Sequence, residues 1–76
     1  MSKKQKLLDR IKGNQKGVRF QELVSIMKWK AWELNSSNSS HFTFKHKNFG
    51  RITIPKNNNQ VKEFYVKEVL KKMGEI

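Results

Sequence analysis

The sequence contains no cysteine, one proline and one aspartate among its 76 residues. Without cysteine there is no disulfide framework, no thiolate zinc site and no cysteine nucleophile, which fits a reducing compartment. The single aspartate, Asp9, and five scattered glutamates do not make the carboxylate cluster that a two-metal nuclease requires. No apolar run has the length of a signal peptide core or the roughly 18 residues of a membrane span. We therefore expect a cytoplasmic protein without membrane association.

Positive charge is what the sequence has in excess, with 17 Lys and Arg against six Asp and Glu and a net charge of +11. Residues 1–30 hold nine basic and two acidic side chains, and residues 31–76 hold eight and four, so the charge is spread along the chain. Self-repulsion of this size destabilises a compact chain, and a polyanionic partner relieves it. RNA or DNA is the first candidate partner, and an acidic protein is the second.

The hydrophobic pattern predicts a single domain over residues 1–76 with the element order α-α-β-β-β-α. A period near 3.6 indicates a helix over residues 4–12, a second from residue 20, and a third that is capped within Asn57 to Asn59 and ends near Gly74. From residue 31 the period approaches two, which predicts a short strand over 31–34 and further strands over 41–47 and 51–55. This is an α+β fold, a three-stranded antiparallel sheet with helices on one face.

Alternation along the strands assigns their side chains to two faces. The face toward the helices must hold the apolar set of the second and third strands, Phe42, Phe44, Ile52 and Ile54. The opposite face then holds His41, Thr43, Lys45, Arg51 and Thr53. Phe49, in the turn between these strands, is expected to stay free to stack on a base, whereas Trp29 and Trp32 are expected in the core or against a partner.

Three chemistries are conceivable for His41. A shared metal ion is disfavoured, because His41 and His46 are five residues apart in one strand and point to opposite faces. A serine nucleophile is disfavoured, because Ser40 also faces away from His41 and no nearby aspartate orients the imidazole. RNA supplies its own nucleophile, the 2′-OH, so its cleavage needs only a proton donor or acceptor and cations for the phosphate. A lone histidine at a strand start is more often a hydrogen-bonded surface residue, so both interpretations stay open on these grounds.

The segment "SSHFTFKHKNFGRITIP", over residues 39–55, resembles the HicA family of toxins from prokaryotic toxin–antitoxin pairs. Family elements occur in order as "KAWEL", "SSHFTF", "FGRITIP" and "FYVKEVLKKMG", and "VRFQELVSIMKWKAWEL" resembles members with an extra N-terminal helix. The resemblance implies a double-stranded-RNA-binding-domain-like fold, ribonuclease activity on messenger RNA and neutralisation by a HicB-type antitoxin. The family histidine maps onto His41, preceded by Ser40. Ser39 and Ala31 stand where the family has glycine, and both disfavour the positive φ that glycine tolerates.

Taken with the residue pattern, the resemblance predicts a metal-independent endoribonuclease without a cofactor, in which His41 is the general acid or base. The predicted RNA- and phosphate-binding residues are Ser39, Ser40, Thr43, Lys45, Arg51 and Lys56. His46, on the other face, is expected to be dispensable for cleavage. Two alternatives remain, a non-catalytic module that binds duplex RNA by shape and charge, and an interaction protein whose basic surface serves an acidic partner.

Overall fold

The computed structural model describes residues 2–76 and has the predicted order of three helices and three strands. The elements are α1 (Lys3–Gly13), α2 (Phe20–Trp29), β1 (Glu33–Asn38), β2 (His41–His46), β3 (Gly50–Pro55) and α3 (Glu63–Lys72). The strands form one sheet in the order β1-β2-β3, and both neighbouring pairs are antiparallel. The α+β prediction is confirmed.

The core lies between one face of the sheet and the helices. Phe44 pairs with Ile52 and Phe42 with Ile54 across β2 and β3, so the four side chains share a face. Three of them are buried, and Phe42 is half-buried with its ring centroid 4.7 Å from that of Phe20. The predicted inward face of β2 and β3 is therefore confirmed. The buried cluster comprises Leu8, Ile11, Val18, Leu23, Ile26, Met27, Trp32, Phe44, Ile52, Ile54, Val61, Val66, Val69 and Leu70.

The first helix is an integral part of this core. Ser2 caps it by accepting a hydrogen bond from the Gln5 backbone N–H at 3.1 Å. On its inner face, Leu8 and Ile11 are each 1% exposed. On its flank, Arg10 forms an ion pair with Glu22 of α2. Because α1 contributes two fully buried side chains and an inter-helix ion pair, the rest of the core depends on it.

Two helices end with the same hydrogen-bond pattern but with different residues at the left-handed position. At the end of α3, Gly74 has φ 72° and the Glu75 N–H donates to the Leu70 carbonyl at 2.8 Å. At the end of α2, Ala31 has φ 73° and the Trp32 N–H donates to the Met27 carbonyl at 2.9 Å. Both are Schellman ends, in which glycine normally occupies the left-handed residue. Ala31 therefore has the left-handed backbone conformation that glycine adopts without strain. Its Cβ makes this conformation unfavourable.

Two predicted boundaries are wrong. The first strand is not a short segment over residues 31–34, since β1 begins at Glu33 and runs through most of the serine-rich stretch to Asn38, with an irregularity in register between Leu34 and Ser36. The third helix is not capped within residues 57–59; its cap is Lys62 and it begins at Glu63. Residues 57–60 instead form a tight turn closed by backbone hydrogen bonds between Asn57 and Gln60.

Strand β1 extends beyond the cover of the helices. All six of its residues are exposed, and Leu34 is 48% exposed although its cross-strand partner Phe44 is 1% exposed. The helices therefore cover β2 and β3 and leave β1 as an edge strand that is open on both faces. Within residues 2–76, no helix is both long enough and apolar enough to cross a bilayer.

Candidate functional site

The sheet surface that points away from the helices is called the open face below. Its members on β2 and β3 are those predicted from alternation, and the register adds three residues of β1. They form three cross-strand rows, Asn38–His41–Pro55, Ser36–Thr43–Thr53 and Glu33–Lys45–Arg51. Because residues two apart on a strand are separated by about 6.6 Å, the first and third rows are about 13 Å apart.

His41 begins β2 at one end of the open face, and it is exposed. Its cross-strand partners are Asn38 on β1 and Pro55 on β3. Proline offers no side-chain donor or acceptor, so Asn38 is the one polar side chain directly beside the imidazole in its row. Within residues 2–76 neither His41 nor Asn38 makes a side-chain hydrogen bond to the protein, which leaves both available to a ligand.

The other two rows supply hydroxyls and cations. In the middle row, the hydroxyls of Thr43 and Thr53 lie 3.0 Å apart and hydrogen-bond to each other. In the far row, Lys45 lies directly opposite Arg51, and both are exposed. Like charges that face each other across two strands destabilise a sheet, and an anion held between them reverses that effect. Glu33 lies opposite Lys45 on its other side, so the row keeps a net positive charge and its Lys45–Arg51 end is the one suited to binding a phosphate.

Ser39 and Ser40 form the two-residue turn that connects β1 to β2 immediately before His41. Ser39 has φ 58°, so it takes the left-handed conformation despite carrying a side chain. The Ser40 carbonyl accepts a hydrogen bond of 2.6 Å from the Lys56 backbone N–H, which extends the pairing with β3 by one residue. The Lys56 ammonium lies 5.4 Å from the centroid of the Phe20 ring, on the side of the helices. Ser39 and Ser40 thus lie beside His41, whereas the Lys56 side chain lies past the edge of the sheet, on the side of the helices.

His46 has a structural environment on the opposite face of β2. Its Nε2 lies 2.9 Å from the Lys30 carbonyl oxygen, and its Nδ1 accepts a hydrogen bond of 2.9 Å from the Asn48 backbone N–H. Since Nδ1 is the acceptor, Nε2 carries the proton that it donates to Lys30. The Phe49 ring stacks on the imidazole at 4.2 Å between centroids, and Trp32 lies edge-on at 5.2 Å. The expectation that Phe49 is free to stack on a base is wrong, because its ring is engaged by His46.

The two tryptophans have different environments. Trp32 is 2% exposed and belongs to the core, whereas Trp29 is 41% exposed with the Lys30 ammonium 4.7 Å from its ring centroid. Sequence reasoning missed Asn38, because a strand that is assigned only to residue 34 cannot place residue 38 beside His41. In the described chain, residues 2–76, no cluster of three or more His, Cys, Asp or Glu side chains has the arrangement of a metal site.

The fold and its surface define a small, strongly basic α+β protein with an exposed histidine on an uncovered sheet. A family model described as the HicA toxin of bacterial toxin–antitoxin systems matches residues 20–75. The match covers most of the chain, which therefore belongs to the HicA toxin family and is the toxin of a toxin–antitoxin pair, with an antitoxin as its partner. No curated protein and no solved structure matches the chain. The helix α1 lies outside the matched residues, although its side chains are part of the core.

Proposed function

We propose that this toxin is a metal-independent endoribonuclease of the cytoplasm that cleaves messenger RNA, and that a HicB-type antitoxin inhibits it. The observation that carries the proposal is the exposed imidazole of His41 on a sheet surface that also presents hydroxyls and the opposed cations Lys45 and Arg51. Membership of the toxin family supports a damaging activity. The net charge of +11 supports a polyanionic target.

In the proposed reaction, the 2′-oxygen of a ribose attacks the adjacent phosphorus, and the bond from phosphorus to the 5′-oxygen breaks. His41 either takes the proton from the 2′-OH while solvent protonates the departing 5′-oxygen, or protonates that oxygen while solvent takes the proton from the 2′-OH; both are general acid–base catalysis. The products are a 2′,3′-cyclic phosphate and a 5′-OH. DNA lacks the 2′-OH and cannot react in this way.

In the proposal, the residues of the near row, that of His41, and those of the far row of the open face contact different phosphates of the RNA, because the two rows are well separated. The backbones of Lys45 and Arg51 lie about 13 Å from that of His41 along the strands, so side chains that stand upright on the sheet point to different parts of a bound RNA strand. Lys45 and Arg51 bind a phosphate further along the RNA and fix its direction. The reacting phosphate is held at the near end, by the hydroxyls and backbone N–H groups of Ser39 and Ser40. Thr43, between the two ends, contacts the intervening sugar or phosphate.

Lys56 has a separate place in the proposal. Its backbone is bonded to Ser40, and its ammonium lies beyond the sheet edge over Phe20. It therefore supports RNA that continues past the turn between β1 and β2 toward the N-terminus of α2. Arg19, the N-cap of that helix, is exposed, and its backbone lies beside Gln60 in the turn that follows β3. Lys56 and Arg19 beyond the β3 end of the row of His41, together with Lys45 and Arg51 in the far row, give the RNA strand a path across the site.

The test uses end-labelled messenger RNA in excess EDTA, with the purified parent protein and the His41→Ala variant. We expect the parent to cut and to leave 2′,3′-cyclic phosphate and 5′-OH ends, and the variant to bind the same RNA without cutting. The Arg51→Ala variant is expected to bind more weakly and to lower the slope of log affinity against log salt by about one. Cleavage by His41→Ala at the parental rate contradicts the assignment of the histidine.

The distribution of charge favours a second candidate, a module that binds duplex RNA without cutting it. Among the 17 basic residues of the chain, Lys45 and Arg51 belong to the open face, so most of the charge lies on other surfaces. Duplex RNA is bound mainly through its shape, phosphates and 2′-hydroxyls, which suits such a spread. In this case both the parent and His41→Ala give a salt-sensitive gel shift, and the RNA ends stay intact.

A further inference from the structure

Asn38 is the polar side chain closest to His41 across the sheet. The two residues are Cα partners in the register of β1 and β2, next to the turn at Ser39 and Ser40. Directly opposite residues of an antiparallel pair have Cβ atoms about 5 Å apart, within reach of a hydrogen bond between an amide and an imidazole. The opposite neighbour of the histidine is Pro55, which can make no such bond.

The neighbouring polar groups are already engaged or point elsewhere. The next hydroxyl along the strand, that of Thr43, is bonded to Thr53 at 3.0 Å. Lys56 lies over the Phe20 ring on the other face. Asn38 and His41 are therefore a cross-strand polar pair next to the serine turn, both exposed and both without a side-chain hydrogen bond within residues 2–76.

We propose that Asn38 is the positioning residue for His41: rotation of these two exposed side chains, which are not bonded to each other in the structure, lets the Asn38 amide oxygen accept a hydrogen bond from one imidazole N–H and so directs the other ring nitrogen toward the RNA. The inference rests on the proposed ribonuclease function and adds a residue to it. An imidazole on an exposed strand rotates freely, and its two nitrogens exchange roles between tautomers. A neighbouring acceptor fixes both the ring orientation and the tautomer, whether the histidine acts as acid or as base.

The first test combines kinetics with ring nitrogen NMR of the parent and the Asn38→Ala variant. We expect the variant to lose about tenfold in kcat with little change in KM, because binding through the cations is retained while the imidazole is misoriented. The ring ¹⁵N shifts of His41 should move from those of one predominant tautomer toward a mixture. His46 is an internal control, since Lys30 and Asn48 fix its tautomer independently of β1.

The second test places a carboxylate at the same position and follows the titration of His41. In Asn38→Asp the midpoint of that titration should rise by about half a pH unit, from Coulomb's law over about 5 Å in a water-like dielectric. The matched control is Ser37→Asp, which adds the same charge one residue away on the opposite face, because Ser37 pairs with Phe42. Its effect on the midpoint should be less than half as large. The fixed charges near this pair are the distant Glu33, Lys45 and Arg51 of the far row and, across the edge, Lys56.

The outcomes separate this inference from the proposed function. A parent protein that cuts RNA, beside an Asn38→Ala variant with parental kcat and unchanged ¹⁵N shifts, overturns the positioning role and leaves the ribonuclease intact. Equal titration shifts in Asn38→Asp and Ser37→Asp overturn the adjacency on which the role depends. A folded parent that does not cut RNA refutes the proposed function, and the positioning role with it.

Discussion

Replacing His46 with alanine should destabilise the protein without removing cleavage, which is the reverse of the expectation for His41. The imidazole makes two hydrogen bonds of 2.9 Å, with the Lys30 carbonyl and with the Asn48 N–H, and it contacts two aromatic rings. At about 1 kcal/mol for each hydrogen bond and about 0.5 kcal/mol for each ring contact, the loss is about 3 kcal/mol. For a chain of this size that corresponds to a fall in Tm of roughly 12–24 °C.

A second variant separates the two contributions. His46→Phe keeps an aromatic ring against Phe49 but leaves the Lys30 carbonyl and the Asn48 N–H without their partner. Its loss should be about 2 kcal/mol, from the hydrogen bonds alone. His41→Ala is the matched control, because a side chain as exposed as that of His41 contributes less than about 0.5 kcal/mol to the free energy of unfolding.

The assay is thermal and urea unfolding followed by far-ultraviolet circular dichroism, with RNA cleavage measured at about 10 °C where the variants remain folded. We expect His46→Ala to cut RNA at the parental rate per folded molecule and His41→Ala to be inactive at parental stability. The reasoning is refuted if His46→Ala unfolds within about 2 °C of the parent. Loss of cleavage by a fully folded His46→Ala would instead place His46 in the chemistry.

Three further changes test the fold. Ala31→Gly should stabilise the protein by about 0.5–1 kcal/mol and raise Tm by several degrees in a thermal scan, because the left-handed end of α2 no longer carries a Cβ; a lowered Tm would contradict this. Ile11→Ala should cost about 3 kcal/mol in urea unfolding, since the side chain is 1% exposed, whereas a loss below about 1 kcal/mol would mean that α1 is dispensable. The Arg19 backbone N–H, with the Arg10 side chain, holds the pKa of Glu22 below its ordinary value of 4.5 against the opposing effect of burial. Glu22 therefore contributes stability above that value and loses it as the pH falls through its lowered folded-state pKa, so in urea titrations the parent and Glu22→Gln should differ at pH 7 and converge as the carboxyl becomes protonated.

The parts of the fold that the sequence predicts are those encoded by local periodicity. Phe44 and Ile52 alternate with polar residues, so the alternation along each strand is enough to predict that their side chains point toward the helices. Serine and asparagine carry no such alternation, which is why the length of β1 could not be read from residues 35–38. The turn near Asn58 and Asn59 was mistaken for a helix cap, because asparagine is equally suited to a cap and to the positive φ of 52° and 64° that these residues adopt.

The candidate site was predictable to a similar extent and for the same reason. Alternation along the strands predicts that His41, Lys45 and Arg51 share one face of the sheet. It does not predict which residues of β1 lie opposite them, because those belong to a different part of the chain. Contacts between separate elements, such as Phe49 on His46, depend on packing and have no signature in a local pattern. The distance of about 13 Å between His41 and Lys45 already follows from the predicted strand over residues 41–47, whereas the position of Arg51 opposite Lys45 depends on the register of β2 and β3.

The exposed edge strand gives the site an element that can open independently. Because β1 is paired on one side only and no helix covers it, its amide hydrogens should exchange with solvent through local opening, well below the free energy of global unfolding. Such an opening detaches Asn38 from His41 while β2, β3 and the helical core remain intact. The histidine and its positioning partner thus belong to regions of different local stability, and anything that stabilises or displaces β1 changes their coupling without unfolding the protein.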